Sequence, residues 1–165
     1  MSCCKCYFIS LSDFAGRVPI GDSVSNTAVA PSIELSQLKY IKPLLCDDLY
    51  DELCEQINSD TLTDANYDLL CFVKDVQVRY AFADFIFRHP MRVTKESVVY
   101  KVSDESQFVD YTVIEKQSNQ YRVDAQTYAN LLLEFLKDNS ATYPLWESSN
   151  CNHCKTEQPK FGGFF

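Results

Sequence analysis

Close to the end of the chain stands Cys151-Asn152-His153-Cys154. A C-x-x-C turn holds two thiolates at a spacing that suits tetrahedral zinc. Two further ligands are needed, and the opening residues Cys3, Cys4 and Cys6 can offer them. Cys3 and Cys6 make a second C-x-x-C, which completes a site only if the two ends of the chain meet within a subunit or between neighbours. A zinc knuckle would carry its second pair at short spacing, so this signal is weak. The candidate metal set is thus Cys3, Cys6, Cys151 and Cys154, with zinc as its ion, and no other cofactor is expected. A thioredoxin-like redox role fits less well, because that motif opens a helix after a strand and this one lies in a polar tail. Cys46, Cys54 and Cys71 fall among Leu, Phe and Tyr at helical positions and read as free cysteines packed as small hydrophobes. The first residues lack the charged-then-apolar pattern of a signal peptide, so the eight cysteines read as reduced thiols or ligands, in a chain made in a cytoplasm.

Other chemistries find little to work with. Nucleophilic catalysis wants a Cys or Ser beside a His and an orienting acid, yet the only histidines are His89, at a helix end, and His153, in the tail. No serine sits in a G-x-S-x-G elbow. Four glycines in all leave no G-x-G-x-x-G or G-x-x-x-x-G-K-[ST] phosphate loop. Asp47-Asp48 and Asp51-Glu52 lack the spacing of a calcium loop and read as solvent-facing charge. A net charge of −8, with fifteen scattered basic residues, argues against gripping nucleic acid through its phosphates. No apolar run approaches the roughly 18 residues of a membrane span. The expectation is a protein that is not an enzyme and does not enter a membrane.

The elements that would carry these residues are mainly helical. With 165 residues, 46% of them hydrophobic and 13% aromatic, the chain can bury one core as a single domain, 1–165. Residues 1–31 show no helical period and read as an extended arm, with one short helical turn after Ser12. A helical core fills 32–147. Its first helix starts after Pro31-Ser32 and places Leu38, Ile41, Leu45, Leu49, Leu53 and Ile57 on one face, with a kink near Lys42 imposed by Pro43. Asn58-Ser59-Asp60 is a turn, and Thr61 or Thr63 caps the next helix, Asp64 to Arg88, about 40 Å long. Tyr67, Leu70, Cys71, Val78, Ala81, Phe82, Phe85 and Ile86 form its stripe, with Lys74, Asp75 and Gln77 turned away. Its last third is apolar on nearly all sides, which marks it as buried in the domain core or in a subunit interface, with Phe82, Phe85 and Phe87 the candidate interface residues and Phe82 also suited to the core. Two β-prone runs near 91–102 read as a short hairpin excursion. A last helix enters at Ser103–Ser106 and carries Ile114, Gln117, Tyr121, Ala125, Tyr128, Leu132, Phe135 and Leu136. Residues 148–165 form a polar tail that ends in Phe161, Phe164 and Phe165, large apolar groups suited to docking on another subunit. The fold class is therefore a small helical bundle with a short β-hairpin excursion and extended N- and C-terminal arms.

This order of parts is that of "IELSQLKYIKPLLCDDLYDELCEQI", then "YDLLCFVKDVQVRYAFADFIF", then "VTKESVVYKVSDES", then "YRVDAQTYANLLLEFLKDNSATYPLW". Over about residues 33–147 it resembles the head-to-tail connector (adaptor) proteins of tailed bacteriophages, and more narrowly those of crAss-like phages of Bacteroidetes. The terminal cysteines lie outside the likeness. The resemblance implies a structural virion protein of the neck or tail, assembled in the host cytoplasm. About a dozen copies would form a ring below the portal protein, touching it and further tail or ring proteins. DNA would pass through the ring without specific binding, and net acidity suits such a channel. Two other readings stay open: a cytoplasmic zinc-containing interaction adaptor, and a transient phage assembly chaperone.

Overall fold

The computed structural model describes residues 6–89, 91–93, 98–100 and 110–147. Its helices are α1 (Asn26–Ser36), α2 (Lys42–Ser59), α3 (Asp64–Arg88) and α4 (Tyr111–Asp138). A π-helical turn, Gln37–Ile41, joins α1 to α2, and short 3-10 turns stand at Leu11–Phe14 and Pro144–Glu147. The architecture is a mainly helical bundle. Two three-residue strands, β1 (Met91–Val93) and β2 (Val98–Tyr100), pair antiparallel with Met91 opposite Tyr100. Residues 94–97, which would close them into a hairpin, lie outside the described residues, as do Ser103–Ser106 and 148–165.

The arm is more structured than its sequence suggests. The turn expected after Ser12 is the 3-10 turn Leu11–Phe14, where Asp13 accepts the Ser10 amide at 2.8 Å. The first helix, however, starts at Asn26 instead of after Pro31, capped by Ser25, whose hydroxyl accepts the Ala28 amide. Pro31 is exposed inside α1, so the carbonyl its missing N–H leaves unpaired can be solvated.

The break expected near Lys42 is divided between two places. The Lys42 amide bonds back five residues to the Gln37 carbonyl, a wide turn that accommodates Pro43 in the first turn of α2. The sharp change of direction comes later, at Cys46, with φ 66° and ψ 164°. That region is nearly reserved for glycine, and a cysteine held in it stores on the order of 1–3 kcal/mol. The wide turn also shifts the helical phase. Ile41, Leu45, Leu49 and Leu53 are buried as the spacing predicts, but Leu38 is exposed and Gln37 and Tyr40 point inward instead.

α3 is the central helix. Thr63 is its cap, accepting the Asn66 amide at 3.3 Å. Its early stripe is out of phase with the expectation: Tyr67 and Cys71 are exposed, whereas Leu69, Val73, Val76 and Gln77 are buried. A helix packed by α4 on one side and α1 on another needs two stripes, and a single-stripe reading assigns one of them to solvent. α4 starts at Tyr111 under an Asp110 cap, which accepts the Thr112 amide at 3.1 Å. It buries Ala125, Ala129, Leu132 and Leu136, while Gln117, expected on that stripe, is exposed.

Candidate functional site

The sequence-derived metal set is not assembled among the described residues. Cys3, Cys151 and Cys154 lie outside them, and Cys6 is found beside Cys54 of α2. The reading of all eight cysteines as thiols or ligands needs correction at one position. Cys46 is disulfide-bonded, and its sulfur lies 3.6 Å from the Trp146 carbonyl. Cys54 is half-buried and Cys71 exposed, so neither is the enclosed small hydrophobe that the helical pattern implied. Helical spacing locates a residue on a helix, and the neighbouring elements decide how far it is covered.

The Cys6–Cys54 pair is held by a polar latch. Gln37, almost fully buried, uses its whole hydrogen-bonding capacity. Its Nε2 donates to the Cys6 carbonyl and to the Tyr50 hydroxyl oxygen, both at 2.9 Å. Its Oε1 accepts the Phe8 amide at 3.0 Å and Gln77 Nε2 at 3.3 Å. The Phe8 ring packs on the Tyr50 ring, centroids 5.2 Å apart. Tyr50 and Cys54 are one helical turn apart, so the arm is tied to the face of α2 that carries the thiol. The Cys6 thiol donates to the Cys54 sulfur, and this contact is the largest cause of lowering Cys54 below an ordinary thiol; the Tyr50 hydroxyl and the Lys42 charge add to it, against burial and the Asp51 carboxylate. The same contact, with burial second, raises Cys6. Burial in turn pushes the Tyr50 hydroxyl up to about 12.

A second feature is an apolar groove of about 380 Å³ where the C-terminal half of α3 meets the start of α4, with Pro19 of the arm at its rim. Phe82, Phe85 and Ile86 form one wall, Val113, Ile114 and Tyr121 the other. The expected interface aromatics separate here. Phe82 and Phe85 are buried within the chain's own second cluster, because α1 and the arm supply the outer layer that the sequence reading assigned to a neighbour. Phe87 stays half-buried, its ring 5.7 Å from that of Tyr111. Phe161, Phe164 and Phe165 lie outside the described residues. Val113 is exposed at the groove's own wall, and beyond the groove α4 leaves Val123 at 61% and Leu131 at 47% exposed.

Between α3 and α4, Asp84 lies 99% out of solvent (1% exposed), and one of its oxygens accepts Arg122 at 2.8 Å. The Ser118 hydroxyl donates to the Ala83 carbonyl at 3.0 Å beside it. These are bonds of structure, pinning two helices in register.

The model of a family of unknown function (DUF6712) matches residues 41–156, most of the chain. The chain belongs to this family. The match begins at the end of the π-helical turn and takes in α2, α3, both strands and α4. Cys54 and Tyr50 therefore fall inside the DUF6712 region, whereas Cys6, Gln37 and α1 precede it. No curated protein and no solved structure matches the chain. Gln37 and Gln77 are the site residues that sequence reasoning missed. A polar residue on an apolar stripe was the available signal, and Gln77 was instead assigned to the outer face.

Proposed function

We propose that this chain is a structural assembly subunit of a tailed-phage virion, a head-to-tail connector that associates with copies of itself into a ring below the portal. The observation that carries the self-association reading is the outer face of α4, where Val113, Val123 and Leu131 stand exposed along a 28-residue helix. Scattered single apolar residues are ordinary on a surface, but Val113 and Leu131 share one side of α4 with Val123 about 80° round the helix, and that side supports lateral packing between subunits. The half-buried edge of Phe87 against Tyr111 lies at the same end of the bundle as Val113. The net charge of −8 supports a lumen through which DNA slides without sticking. The order of the helical parts, with its likeness to connector proteins, supplies the position in the particle. In this reading β1 and β2 belong to a hairpin excursion that meets a neighbour, and the arm of each subunit serves its own core first.

The test is light scattering and negative-stain imaging of the purified full chain, with and without a portal ring. Closed rings, or rings formed on the portal, are expected. Val123→Asp with Leu131→Asp should abolish them while leaving helix content unchanged. A chain that stays monomeric at every concentration, ignores the portal and is missing from purified particles would overturn the proposal.

A further inference from the structure

We propose that Cys6 and Cys54 form a redox-modification site, a dithiol that a small-molecule disulfide converts into a cystine joining the N-terminal arm to α2. It stands independently of the ring assembly. Both cysteines are free and half-buried, and they come from segments far apart in sequence. They meet because Gln37 binds the Cys6 carbonyl and the Tyr50 hydroxyl at once, and Tyr50 lies one turn before Cys54. The donors point one way. Gln37 donates to the Tyr50 oxygen, and the Tyr50 hydroxyl and the Cys6 thiol both make hydrogen-bonding contact with the Cys54 sulfur. A sulfur that receives two hydrogen bonds is the attacking partner and the thiol that donates to it the resolving one; the Lys42 ammonium favours this thiolate, and burial and the Asp51 carboxylate oppose it. Cys71, exposed and without this setting, serves as an internal reference.

The step balances as a thiol–disulfide exchange. The Cys54 thiolate attacks one sulfur of R–S–S–R, forming a mixed disulfide and expelling R–S⁻, which takes up the proton of Cys6. Cys6 then attacks the Cys54 sulfur, the protein disulfide closes and a second R–S⁻ leaves. Two electrons pass from the pair to the reagent, which ends as two thiols.

The experiment uses the full chain and oxidised glutathione as R–S–S–R, followed by non-reducing peptide mapping. The expected product is a Cys6–Cys54 linked peptide pair, with a melting temperature raised by about 5–10 °C and reversed by reductant. Cys6→Ser should accumulate glutathione on Cys54, since nothing resolves the adduct, and Cys54→Ser should give neither product nor shift. In the unmutated chain, limiting iodoacetamide should label Cys54 several-fold faster than Cys71, a measurement that needs no variant to fold. Cys6 and Cys54 remaining separately alkylatable at equilibrium would overturn the proposal. So would linkage of either to another cysteine, or a Cys54 no faster than Cys71.

Discussion

The larger apolar cluster sets Leu45, Leu49 and Leu53 of α2 against Leu69 and Val73 of α3 and Leu132 and Leu136 of α4, with Phe8 of the arm and Tyr143 and Trp146 after α4 completing it. The smaller one sets Ile9, Phe14 and Val18 of the arm, with Val29 and Ile33 of α1, against Val78, Phe82 and Phe85 of α3. The first is built mainly from periodic segments. The second depends on a stretch whose apolar residues follow no period and whose attachment is partly polar. Besides the Gln37 latch, Lys74 meets Asp13 at 2.8 Å and Arg17 meets Asp75 at 2.7 Å. The contrast shows that an irregular segment can be as much core as a helix when a long central helix offers it a face.

Truncation in each cluster tests that equivalence most strongly. Phe14 and Leu132 are both fully buried. Phe14→Ala should cost about 3–5 kcal/mol and Leu132→Ala about 2–5 kcal/mol, read by denaturant unfolding followed by helix signal. If Phe14→Ala merely frees the arm to proteolysis while the helical transition stays put, the arm is a dressing on the bundle and the comparison fails. A smaller effect is expected at the latch. Gln37→Ala leaves the Phe8 amide without its partner and Gln77 Nε2 with the Ile33 carbonyl alone, and should lower stability by about 1–3 kcal/mol, with added exchange at the Phe8 amide. Smaller again is Gly16→Ala. No atom lies within 4 Å of a Cβ built there, but the backbone has φ +75°, so the substitution should cost about 1 kcal/mol by strain alone.

The smallest effect is electrostatic. Burial alone would raise the Asp13 carboxyl, but Lys74 and the Ser10 amide outweigh it and hold the group below the ordinary carboxylate range. A folded-state value below the unfolded one contributes stability that is present above about pH 4 and lost as pH falls through the folded value. Asp13→Asn should thus be slightly less stable than the parent near neutrality, and the two should converge in acid. The pair is partly exposed, so the gap should also narrow in high salt. A gap that widens on acidification would contradict the assignment.

The one kinked helix expected after Pro31 is two, α1 and α2, joined by the π-helical turn. The span of α3, a threonine cap before it and the inward rows Ile41–Leu53 and Ala125–Leu136 were legible because each follows from local spacing or a capping side chain. The start of α1 was not, since Pro31 is a strong local stop that a solvated carbonyl tolerates. Nor was the exposure of Leu38, which depends on a single widened turn. Gln77 misled the reading because a polar residue marks the outer face only when no buried partner awaits it, and Gln37 awaits this one.

By itself the sequence determined that the chain is helical, acidic and rich in cysteine, with Cys54 one turn beyond Tyr50. Those properties belong to composition and to neighbours within one helical turn. Only the tertiary structure decided that Cys6 stands against Cys54, and that Phe82 and Phe85 are covered by the chain's own arm and α1. Both depend on which remote segments share a surface. That is set by how several apolar faces pack at once, and no single stretch of residues contains it.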